Sequence, residues 1–195
     1  MAALVILGLT LATSVVGFVS PIVIERNLFR PYWFLQRRQY WTAISNGFVH
    51  ADVGHLLFNG LTYWFFAFPV QQAIGEARFA ALYFIGLLAS NAGTYFKQRT
   101  NPDYACLGAS GAILAVLFAS IVYFPRNSIM MLPIPIPIPA PLFAICYLAY
   151  TFYAARHARG RINHDAHFDG AIAGMAFVAV TDPEAWLRAW RLVVG

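Results

Sequence analysis

The stretch CLGASGAIL, residues 106 to 114, sets a hydroxyl, Ser110, between Gly108 and Gly111 at the head of an apolar run. Serine is a weak nucleophile until a base takes its proton, and histidine has the pKa for that task. His167 stands at the start of a later apolar run, with Gly170 and Gly174 at i+3 and i+7 on the same helical face. His55 and Asn59, at i and i+4, open another such run. A serine, a base and two side chains that can donate N–H bonds are the parts of an acyl-transfer site. The amides at a helix N-terminus add further donors for a developing oxyanion. No carboxylate completes a triad, because Asp165 lies two residues before His167 and points elsewhere on a helix. The expectation is a Ser110–His167 dyad. The G-x-S-x-G elbow of soluble hydrolases is not met: Ala112 holds its last glycine position and no strand precedes it.

The elements that must position these residues follow from composition. Of 195 residues, 60% are hydrophobic and 11% charged, a balance suited to lipid as solvent. The formal charge of +5 falls in short connectors, which points to lipid headgroups and away from nucleic acid. Cys106 and Cys146 have no metal-binding or redox spacing, and no disulfide, metal or cofactor is expected. The first apolar run has no basic n-region or cleavage site and reads as a retained helix.

Six spans are predicted, at about 2–24, 55–75, 79–96, 108–124, 141–155 and 166–180, in one all-α membrane domain covering 1–195. The connector from Glu25 to Asp52 mixes Trp33, Tyr40 and Trp41 with arginines, as interfacial segments do. The Pro-Ile alternation after Arg126 forbids helix and central strand and reads as an extended connector. The segment after Pro183 has the spacing of an interfacial helix. Six spans alternate in direction, so the starts of the second, fourth and sixth share one side and one depth. His55, Asn59, Ser110 and His167 therefore converge. The small residues Gly108, Gly111, Gly170 and Gly174 would let the fourth and sixth helices approach closely.

These residues resemble the rhomboid family of intramembrane serine proteases. GASG matches its nucleophile motif, AHFDGAIAG its A-H-x-x-G-x-x-x-G motif, and HADVGHLLFN its H-x-x-x-x-H-x-x-x-N motif. The three occur in order on the expected helices. The resemblance implies a six-helix rhomboid-like bundle with a long membrane-embedded first loop. It implies Ser110 as nucleophile, His167 as base, and His55, Asn59 and the Ser110 amide as the oxyanion hole. The implied substrates are transmembrane helices of other membrane proteins in a lipid bilayer, the implied location a bacterial inner membrane, and the fifth helix the substrate gate.

Three departures stand out. The aromatic residue that family members often carry one turn after the serine is Leu114 here, the family's W-R pair reads Trp41-Thr42, and Asp169 is an unusual acid. Family topology also puts Arg26, Arg30, Arg37, Arg38, Lys97, Arg99, Arg156, Arg159 and Arg161 outside, against the positive-inside rule.

Blander roles remain open for single residues. Ser110 could cap a helix, His167 could be a buried core histidine, and His55 and Asn59 could bond between helices. His50 reads as a stabiliser of the loop–helix junction, His164 as a solvated loop residue, and Asp169 as a partner of an arginine or of cavity water. The competing functions are an inactive rhomboid-like protein that binds transmembrane helices, and a haem carrier using His55 and His167.

Overall fold

A computed structural model describes residues 1–131, 134–157 and 162–195, which are mostly helical. Arg159 and Arg161, part of the charge pattern above, lie outside the described residues. Helix α1 (Ala2–Val19) is followed by α2 (Pro21–Asn27), α3 (Pro31–Gln36), α4 (Thr42–Ser45) and a 3-10 turn, Asn46–Phe48. Then come α5 (Val53–Ile74), α6 (Glu76–Gln98), α7 (Ser110–Tyr123), the strands β1 (Ser128–Met131) and β2 (Ile134–Pro139), α8 (Ala140–His157), α9 (His164–Thr181) and α10 (Pro183–Val194). Among the described residues, α1 and α6 are long and apolar enough to cross a membrane, and α7 is a shorter apolar helix.

Helix α7 is the axis of the fold. Every residue from Gly111 to Val122 is buried, and α5, α6 and α9 pack around it. The small residues explain how so many helices reach it. A Cβ added at Gly170 would overlap the Gly111 backbone, and one at Gly174 the Ala115 backbone. Helices α7 and α9 therefore touch main chain to main chain. From α6, which also packs against α9, a Cβ at Gly86 would overlap the Ala115 side chain.

Helix α1 is inverted relative to a helix of a soluble protein. Its buried stripe is Ala3, Ile6, Thr10, Ser14 and Gly17, while Leu4, Val5, Leu9, Val15 and Val16 face outward. Small and polar residues make the packing seam, and the large apolar ones face the surroundings.

Several boundaries differ from the sequence reading. The first apolar run breaks at Ser20, because Pro21 has no amide to continue α1 and its fixed φ starts α2 instead. The connector from Glu25 to Asp52 is built from short helices. It is clipped to α6 by a paired amide contact between Asn46 and Asn91, both bonds 3.0 Å, and by Asn91 donating to the Ala43 carbonyl. The link between α5 and α6 is a single residue, Gly75, at φ +81°. The Pro-Ile alternation does form an extended segment, paired antiparallel with β1 in a two-stranded ribbon. Such a ribbon has only edges, where proline's missing amide is tolerated.

Candidate active site

Ser110 opens α7. The first helical bond there runs from the Ile113 amide to the Ala109 carbonyl, which leaves the Ser110, Gly111 and Ala112 amides without helical partners. The loop before it turns at Gly108, whose φ of +114° suits glycine alone. Gly108 is also needed for space, because an added Cβ would lie 2.6 Å from His55 Cε1 and 2.9 Å from His55 Nε2. The Gly108 amide donates to the Asn46 carbonyl at 2.9 Å, so the connector holds the loop before Ser110 from behind.

His167 enters from α9. Its start is fixed by Asn163, which accepts the Ala166 amide at 3.1 Å and donates to Thr94 Oγ1 of α6 at 2.9 Å. Beside it, Lys97 pairs with Asp165 at 2.6 Å. His167 Nε2 then lies 2.9 Å from Ser110 Oγ. For the serine hydroxyl to donate to Nε2, the neutral ring must carry its proton on Nδ1. On that side, 3.2 Å away, is the Tyr147 hydroxyl of α8. A tyrosine thus stands behind the imidazole, a contact across 20 residues of sequence that no local spacing announces.

His55 and Asn59 lie on the α5 face that meets Gly108, two residues from Ser110. Asn59 is held by a buried network that the sequence did not announce. Asn59 Nδ2 donates to His50 Nε2 at 2.9 Å, His50 Nδ1 bonds Ser14 Oγ at 2.9 Å, and the Ser14 hydroxyl donates to the Phe48 carbonyl at 3.1 Å. One tautomer satisfies all three bonds, with the proton of His50 on Nδ1. His50 has no exposed surface, and burial, aided by the nearby His55, pushes its pKa down to about 3, so it stays neutral and can accept from Asn59. The network fixes which end of the Asn59 amide is nitrogen and leaves its second N–H available.

The other polar residues sort as follows. His50 stands at the loop–helix junction in front of α5. His164 is buried as the first residue of α9, edge-on to Tyr150 with centroids 5.5 Å apart, which corrects its reading as a solvated loop residue. The cause is the start of α9 three residues before His167, which turns His164 inward. Asp169 has no arginine partner among the described residues, and its carboxylate lies against Gly93 of α6. Leu114 is buried beside Leu117 and Phe118. Cys106 and Cys146 are free thiols. Ser110 and His167, with His55 and Asn59 against the Gly108 turn, form one cluster drawn from α5, α7 and α9.

Comparison with known proteins agrees with the motifs. The Rhomboid domain family model matches residues 37–183. YdcA of Bacillus subtilis is 38% identical over 78 residues, 40% of this chain and 38% of its own. The presenilin-associated rhomboid-like protein A, mitochondrial, of Danio rerio is 28% identical over 154 residues, 77% of this chain and 40% of its own. The rhomboid protease GlpG of Pectobacterium atrosepticum is 28% identical over 79 residues, 37% of this chain and 29% of its own. The chain therefore spans well under half the length of these curated relatives. With a family match that takes in the Ser110 loop and the His167 helix, the chain belongs to the rhomboid family.

Proposed function

We propose that this chain is an intramembrane serine endopeptidase. The observation that carries the reading is the 2.9 Å separation of Ser110 Oγ and His167 Nε2 at an open helix N-terminus. In the reaction, Ser110 Oγ attacks the scissile carbonyl while His167 Nε2 takes its proton. The Ser110 amide, His55 and Asn59 donate to the oxyanion of the tetrahedral intermediate. His167 returns the proton to the leaving amine, which departs and leaves an acyl-serine. Water, activated by His167, then hydrolyses the ester and restores the hydroxyl.

The proposed setting is a six-span bundle in a lipid bilayer, formed by α1, α5, α6, α7, α8 and α9, with the α2–α4 connector embedded in the membrane. The outward leucines and valines of α1 and the outward Leu57, Phe58, Trp64 and Phe65 of α5 support it, since such surfaces are costly in water. The substrates are transmembrane helices of other membrane proteins, reaching Ser110 past α8. The proposed membrane is the bacterial plasma membrane. Relatives also include a protein named as mitochondrial, so fractionation of the native source decides the compartment. The test of function is cleavage of a reporter transmembrane helix in proteoliposomes by wild type beside Ser110→Ala.

The second reading is a family member that binds transmembrane helices without cutting them, which Leu114 and Asp169 favour as departures from the family pattern. It requires Ser110→Ala to leave all cellular activity unchanged and Ser110 to resist fluorophosphonate labelling.

A further inference from the structure

The dyad residues sit on α7 and α9, yet the far side of the imidazole is held from a third helix. Tyr147 on α8 places its hydroxyl 3.2 Å from His167 Nδ1. Its ring is not loose. Phe143 stacks on it at 5.4 Å and 21°, and Phe118 of α7 meets it at 5.8 Å and 51°. The aromatic pair of α8 and the ring of α7 thus fix the height of the hydroxyl. On α7 itself, the residue one turn after Ser110 is Leu114, which has no ring to stack on the imidazole and no atom to bond it. Any orientation of His167 beyond its own rotamer must come from elsewhere.

We propose that Tyr147 is the positioning residue of the dyad, holding His167 in the Nδ1–H tautomer from α8 in place of an aromatic residue on α7. The inference rests on the protease reading. The tyrosine oxygen accepts the Nδ1 proton, which leaves the Nε2 lone pair facing Ser110 Oγ. When Nε2 takes the serine proton, the ring becomes cationic and its bond to the tyrosine oxygen becomes charge-assisted, so it stabilises the transition state more than the resting state. Tyr147 touches neither the substrate carbonyl nor the serine in this scheme, and acts through His167 alone.

Tyr147→Phe keeps the stack with Phe143 and removes only the oxygen. Its kcat on a transmembrane reporter is expected to fall about 10- to 150-fold, the worth of one hydrogen bond to a charged group. KM is expected to stay within about twofold, since substrate binding is not touched. The second-order rate of Ser110 labelling by a small fluorophosphonate should fall in parallel, because that probe needs the dyad and no substrate helix. Nitrogen-15 NMR of histidine-labelled wild type should show His167 protonated on Nδ1. That measurement needs no variant to fold.

An unchanged kcat in Tyr147→Phe overturns the inference. So does loss of reporter cleavage with unchanged fluorophosphonate labelling, which would make Tyr147 a substrate contact. A wild-type His167 protonated on Nε2 overturns it as well. Failure of the protease reading is distinguishable, because wild type would then cut no reporter helix, or Ser110→Ala would cut it as well as wild type.

Discussion

Gly170→Ala tests whether the geometry of the dyad depends on the contact between α7 and α9. The added Cβ would lie 2.8 Å from the Gly111 carbonyl carbon and 2.9 Å from Gly111 Cα. It would also overlap the Gly111 carbonyl oxygen. Carbon atoms pack best at about 3.5–4.0 Å, so the helices must part by roughly 0.6–1.2 Å. Neither side can yield by a rotamer change, because the atoms in the way are backbone. The Ser110–His167 contact crosses the same seam, one residue from Gly111 and three from Gly170. Stretched by that amount from 2.9 Å, it passes the range in which a hydrogen bond is useful. A misplacement of about 1 Å in a catalytic group costs on the order of 100-fold in rate. Overpacking of this kind also costs about 1–3 kcal/mol of stability.

The assay is reporter cleavage in proteoliposomes together with thermal unfolding in detergent. Gly8→Ala is the control, because an added Cβ there meets nothing within 4 Å and helix propensity favours alanine by about 1 kcal/mol. The account expects Gly170→Ala to lose about two orders of magnitude in rate with a lowered Tm, and Gly8→Ala to lose neither. A Gly170→Ala protein within twofold of wild type in rate and with unchanged Tm would refute the claim that this backbone contact sets the dyad.

Two further outcomes follow from the site. In the proposed reaction His55→Ala removes one oxyanion donor and should lower kcat by roughly 100- to 1000-fold, about 2.7–4 kcal/mol, with little change in KM, as read by steady-state cleavage. His50 gives a pH dependence. Its folded pKa of about 3 lies below the ordinary histidine value of 6.5, so between those values the unfolded chain binds more protons and stability falls as pH falls. The loss is on the order of 1 kcal/mol per pH unit inside that window, and the contribution is complete above it. Unfolding in detergent from pH 7 to pH 4 should show the slope in wild type and a flatter one in His50→Gln.

The parts of the site legible in the sequence were those whose spacing is local. His55 and Asn59 share a face by i and i+4, and the glycines after His167 repeat at helical spacing, so both could be read without knowing the fold. The convergence of three helix starts needed only their alternation in direction. Tyr147 was not legible, because it lies 20 residues before His167 on a separate helix and shares α8 with Tyr150 and Tyr153. Only the packing of α8 against α7 and α9 tells one tyrosine from the others.

The network behind Asn59 was hidden for a related reason. Ser14 sits in an uncharged apolar run, and its bond to His50 spans 36 residues of sequence. A signal was present in the period of Ala3, Thr10, Ser14 and Gly17, a small and polar stripe on α1 that marks its packing face. The break at Ser20 could also have been read, since Pro21 is a common first residue of a new helix. His164 was misread because a histidine in a polar connector looks solvated until the helix start is known.

The central claim is that Ser110 is a nucleophile activated by His167. The measurement that reaches it most directly is cleavage of a reporter transmembrane helix in proteoliposomes, wild type beside Ser110→Ala at equal folded amounts. The account predicts a defined cut by wild type and none above background by Ser110→Ala. Equal cleavage by the two proteins would contradict it.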